Sequence, residues 1–119
     1  MIQYVRKGKN RFPIGVLVAK LDDDGRIVVG HSKWCQSRDK YDKMEGIRIA
    51  DSRADLDSKS PPALSILKAY GKFLERALKY YKGASLSFNT QEAFVRATKK
   101  LEAVKEEHAA EKANYAMEV

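Results

Sequence analysis

Cysteine is nearly missing from this chain of 119 residues: Cys35 stands alone. A lone thiol excludes an internal disulfide and any zinc cluster built on cysteines, and it fits a reducing, cytoplasmic setting. Histidine is as sparse, with only His31 and His108, and no set of acids suited to a metal accompanies them. The run Asp22-Asp23-Asp24 lacks the alternating ligands and distal glutamate of a calcium loop. No GxSxG elbow, P-loop, RNP motif, GXXG clamp or zinc-finger spacing occurs. Long apolar runs are absent too: nothing approaches the ~20 residues of a membrane-spanning helix, and the N-terminus has no apolar signal core. These absences predict a protein that is not an enzyme, takes no cofactor and enters no membrane.

Charge is what the sequence has in plenty. Lys and Arg number 23 against 16 acids, a net +7, which points to an anionic partner or to plain solubility. The excess is uneven. Residues 1–40 hold nine Lys/Arg against four Asp and residues 61–119 hold ten against seven, whereas 41–60 hold four against five. A hydrophobic share of 44% suffices for one modest core, so residues 1–119 are read as a single domain.

The pattern predicts an α+β fold. Residues 1–36 form the β-sheet region: Ile2 and Tyr4 alternate with polar residues, and two β-branched runs follow, Phe12 to Leu21 and Arg26 to Cys35. Asp24-Gly25 between them is the signal of a type I′ hairpin. Pro13 suits a strand edge or start, and Gly15 and Gly30 suggest a bulge or a close backbone approach.

A short helix over 39–56, capped by Asp39, buries a face made of Met44, Ile47, Ala50 and Ala54. "DSKSPP", Asp57 to Pro62, breaks it. Ser60 as cap and Pro61 in the first turn then start a second helix reaching about Lys82. That helix has two apolar stripes, one through Leu64, Leu67, Gly71, Leu74, Leu78 and Tyr81, the other through Ile66, Tyr70, Phe73, Ala77 and Tyr80. Two stripes need two covers, and a second subunit is one of them. After Gly83, Asn89 paired with Glu92 caps a third helix from Thr90, with Phe94, Ala97, Leu101, Val104 and His108 in heptad rhythm. The whole is an N-terminal antiparallel sheet, a short helix, and a helical hairpin over 61–119 made of two long antiparallel helices.

Three constellations bear on function. His31, Lys33 and Cys35 alternate on one strand face, but a satisfied histidine and a small buried core cysteine explain them more simply. Arg6, Lys7, Lys9 and Arg11, with Lys68, Lys72, Arg76 and Lys79, can neutralise phosphates; they serve equally as the solvated side of their elements. Arg48, Arg53, Phe88, Asn89 and Arg96 are the residue types of a nucleotide site: planar bidentate donors, an aromatic face and an amide. Phe88 and Asn89 also suit a hydrophobic staple and an N-cap.

The run Gly30 to Ala54 resembles a set of small phage proteins. Its matching residues are Gly30, Ser32, Cys35, Asp39, Tyr41 and then Gly46, Ile49, Ala50, Arg53 and Ala54, a Gly-x-x-Ile-Ala-x-x-Arg-Ala pattern. The functional family attached to this pattern is the phage anti-Thoeris sponges, which sequester cyclic ADP-ribose signals and, in some members, cyclic oligonucleotides without degrading them. The resemblance implies an N-terminal sheet with long C-terminal helices, a dimer or hexamer with sites across the contacts, and action in the host cytoplasm. It implies that Arg53 meets the ligand, with Phe88 or a tyrosine of the second helix stacking on the base, Asn89 hydrogen-bonding, Arg96 facing a phosphate and Arg48 nearer solvent. The alternative is a small basic phage protein that binds nucleic acid or a host factor.

Overall fold

The computed structural model of the chain describes residues 1–6, 13–33 and 43–117; the side chains of Pro13, Lys43 and residues 108–117 fall outside it. Strands β1 (Ile2–Arg6), β2 (Pro13–Leu21) and β3 (Ile27–Lys33) form an antiparallel sheet in the order β1-β2-β3. Helix α1 (Lys43–Asp55), a 3₁₀ turn (Leu64–Ile66), α2 (Leu67–Tyr80) and α3 (Phe88–Met117) follow. The fold class is α+β.

β2 reads as one continuous apolar run because it is the central strand and both its faces are covered. Its odd positions, Leu17 and Ala19, join Val5, Ile27 and Val29 against Ile66, Tyr70, Phe73, Leu74 and Ala77. Its even positions, Val16 and Val18, pack with Tyr4, Ile47 and Ala50. The sheet is therefore a middle layer between α1 and α2. Burial of β1 rests on Val5 for the α2 face, while Ile2 is exposed.

α1 lies against β3 at unusually short range. A Cβ on Gly30 would stand 1.8 Å from the Ala50 carbonyl oxygen and 2.5 Å from the Ala54 nitrogen. Ser32 Oγ donates to the Gly46 carbonyl at 3.0 Å, and Lys20 reaches across from β2 to Asp51 at 3.1 Å and to Asp55. The buried face of α1 is thus built on Gly46, Ala50 and Ala54. Met44, expected on that face, is 75% exposed. A long side chain there would hold the helix off the sheet, and the small residues win the contact.

Several expected boundaries move. The Asp22–Arg26 connection is not a type I′ turn: among its residues only Gly25 has positive φ, +76°. Asp22 organises it instead, its carboxylate accepting from the Asp24 and Arg26 amides at 2.9 and 2.8 Å, while the Gly25 amide donates to the Asp22 carbonyl. This is a turn followed by one left-handed residue, the role only glycine fills cheaply. Gly15 and Gly30 both make the expected close backbone approach: a Cβ on Gly15 would lie 2.6 Å from the Ser32 carbonyl oxygen. The register shifts beside Gly15, where Val5 pairs with Gly15 and Arg6 with Pro13.

α2 starts at Leu67 rather than Pro61: residues 61–63 are not helical, Ala63 is extended (φ −59°, ψ 145°) before the 3₁₀ turn, and neither that turn nor α2 has Ser60 as its cap. α3 is capped by Ser87, whose Oγ accepts from the Thr90 amide at 3.1 Å; Asn89 is already inside the helix. Residues 85–87 run alongside β3, with the Ile27 amide donating to Ser85 O and the Ser87 amide to Ile27 O. That pairing covers the outer edge of β3 at its first residue, Ile27. The radius of gyration, 16.5 Å, exceeds the roughly 13–14 Å of a compact chain this long, which fits a 30-residue α3 of about 45 Å. Asp39, Tyr41, Cys35, Lys7, Lys9 and Arg11 lie outside the described residues.

Candidate functional site

The loop after α1 ties three elements together. Asp57, in the left-handed region at φ +47°, accepts from Ser87 Oγ at 2.7 Å, and its carbonyl accepts from Asn89 Nδ2 at 3.0 Å. Two residues on, Lys59 Nζ stands 5.6 Å from the centre of the Phe88 ring, within cation–π reach. Ser60 offers its carbonyl to His31 Nε2 at 3.1 Å. The loop is therefore laced to β3 on one side and to the start of α3 on the other.

Beneath it, His31 meets the buried Tyr70 edge-on, ring centres 6.0 Å apart, and Tyr70 stacks on Phe94 at 6.2 Å. Burial holds the His31 imidazole below its ordinary range, and the nearby Arg53 charge pushes the same way against the Ser60 hydrogen bond. Burial drives the Tyr70 phenol upward, with Asp57 adding to it. The Tyr70 hydroxyl is buried without a hydrogen-bond partner among the described residues. Among the described residues no group of three His, Cys, Asp or Glu could hold a metal ion.

Three of the five sequence-derived candidates converge on this loop and two do not. Phe88 and Asn89 open α3 beside Lys59 and Asp57, and Phe88 is 64% exposed. Arg53, one turn before the loop, donates from Nη1 to the His31 carbonyl at 2.8 Å. Arg48 forms a two-pronged pair with Glu45, at 2.6 and 3.1 Å, on the exposed side of α1; that pair lowers the Glu45 carboxyl and raises the guanidinium. Arg96 lies two turns along α3, its Nε 3.6 Å from Glu92. Lys59 and Asp57 were missed by sequence reasoning, which took "DSKSPP" only as a helix breaker. Its polar residues were the available signal.

The motif behind the family resemblance turns out to be a clip between β3 and α1. Gly30 receives the Ala50 and Ala54 backbone, Ser32 binds Gly46, and Arg53 caps a β3 carbonyl. Each of these residues has a packing duty whatever the protein binds.

A concavity lies on the α2 face. It is a groove of about 560 Å³ between the β1 end of the sheet and the first turns of α2, lined by Gln3, Arg6, Lys68 and Lys72 over Val5, Ile14 and Ala69. An apolar groove of about 410 Å³ runs between α2 and α3, with Leu64, Leu67, Gly71, Phe94 and Leu101 in its walls. Among the described residues no helix is long and apolar enough to cross a membrane. Comparison of the chain with protein-family models, curated proteins and solved structures finds no match.

Proposed function

We propose that this protein binds a small cyclic nucleotide signal of the cyclic ADP-ribose type at the α1–α3 junction and withholds it without degrading it. The observation that carries the reading is the exposed Phe88 ring with the Lys59 ammonium 5.6 Å from its centre, at the opening turn of a long helix. An aromatic face accepts a purine by stacking. The ammonium and the positive end of the α3 dipole favour a phosphate, and Asn89 stands next in the chain. The sequence resemblance supports the same ligand class and its setting, a phage protein acting in the host cytoplasm.

The same proposal includes a homo-oligomer, dimer or hexamer. Leu64, Leu78 and Tyr80 of the α2 region and Val95 and Val104 of α3 remain exposed, and the apolar groove between the two helices lies open beside Leu64. Exposed apolar stripes of this kind are covered by a second copy or invite aggregation.

Titration calorimetry with cyclic ADP-ribose isomers tests the site. Phe88→Ala should weaken binding about tenfold or more, the worth of one stacked base, and the ligand should be recovered chemically intact from heat-denatured complex. Absence of binding, or a converted product, refutes the reading. Light scattering at 13.5 kDa for the ligand-loaded protein would refute the assembly alone.

A further inference from the structure

We infer that the groove between β1 and α2 is a separate binding site for the phosphodiester backbone of a single-stranded nucleic acid. It goes beyond the junction site, shares no residue with it, and stands or falls independently.

The groove joins cations that are far apart in sequence. Arg6 ends β1, while Lys68 and Lys72 lie four residues apart on one face of α2, about 6 Å between their Cβ atoms. Among the described residues no acid lines it and neither lysine has an ion-pair partner. Arg76, one turn beyond Lys72, donates to the Gln3 side chain, which fastens the helix to the edge strand and holds the rim in place. Arg76 and Lys79 continue the same charge along α2.

The chemistry of the lining selects the ligand. Val5, Ile14 and Ala69 give the groove an apolar floor, on which a sugar or base can rest while phosphates meet the lysines. A volume of about 560 Å³ lies within the usual range of ligand pockets, and the groove is partly open to solvent. Lysine point charges without a fixed bidentate fork suit repeated phosphates held without sequence preference.

Fluorescence anisotropy with labelled dT12, and calorimetry with the dinucleotide pTpT, distinguish a polynucleotide from a small ligand. Binding of dT12 at least tenfold tighter than pTpT is expected. Lys68→Ala/Lys72→Ala should weaken dT12 at least tenfold and flatten the slope of log affinity against log salt by about 1.4, the value for two phosphates on a single strand. Lys99→Ala/Lys100→Ala, an equal charge loss at exposed α3 positions, should change affinity less than twofold. Lys68→Gln/Lys72→Gln repeats the test should the alanine variant melt early. Phe88→Ala should leave dT12 binding unchanged, which separates this site from the junction. Equal losses in the two lysine pairs would mean diffuse attraction and overturn the site, as would pTpT matching dT12 or no binding at 0.1 M salt.

Discussion

The two faces of the sheet are covered in opposite ways. On one, α1 presses its backbone onto β3 through Gly30, Gly46, Ala50 and Ala54, with scarcely a large side chain between them. On the other, α2 stands off behind Ile66, Tyr70, Phe73 and Leu74, and aromatic volume fills the gap. The first face gains from nearness, dispersion between backbones and a few hydrogen bonds; the second from apolar area removed from water. Among the described residues, the stand-off face leaves grooves at its borders.

Substitutions should expose this contrast by opposite chemistry. The largest effect belongs to Gly30→Ala, where one methyl meets the Ala50 carbonyl and the Ala54 amide, neither of which can turn aside. We expect a loss beyond the ~3 kcal/mol usual for overpacking, read by urea denaturation. A loss under 1 kcal/mol would mean that α1 slides as a unit and that the tight face is soft. On the other face the sensitive change is removal. Phe73→Ala should cost about 3 kcal/mol through lost transfer energy and a cavity, and near-neutrality would show that α2 collapses onto the sheet.

Acid should reach the stand-off face through His31. Its folded pKa lies below the ordinary 6.5 because burial disfavours the imidazolium. The unfolded chain therefore binds the proton more readily. Stability is fully present above 6.5 and is lost as pH falls through the lowered value. Thermal melting between pH 7.5 and 5 should show this decline, and His31→Gln should flatten it. An unchanged decline in that variant would assign it to other groups.

The smallest effect has the opposite sign. Tyr70→Phe removes a buried hydroxyl that has no partner among the described residues, so stability should hold or rise by up to about 1 kcal/mol. A clear loss would reveal that the hydroxyl is bonded in solution.

The strands, the three helices and the polar breaker between α1 and α2 were all legible in the chain, since period-two and period-three-to-four patterns survive in any context. Boundaries were less so. Pro61 looks like a first helical residue, yet Pro61-Pro62 lies outside the helix, as a residue preceding proline is pushed from the helical region. Asn89 looks like a cap, yet Ser87 holds that position because the pairing of residues 85–87 with β3 delivers it there. Among the candidate residues, Phe88 and Asn89 were singled out by type, but their partners Lys59 and Asp57 sit about thirty residues away, and spacing carries no trace of that contact.

By itself, then, the sequence determined the order and kind of elements, the basic balance, and the lack of a nucleophile motif, all of which are local or additive properties. Tertiary structure alone decided that Gly30 and Ala50 touch, that Arg53 spends a donor on a strand carbonyl, and that Arg6 faces Lys68 and Lys72 across a groove. Those are meetings of distant segments. They depend on which face of the sheet each helix covers and how closely, a choice made by the summed packing of the whole core.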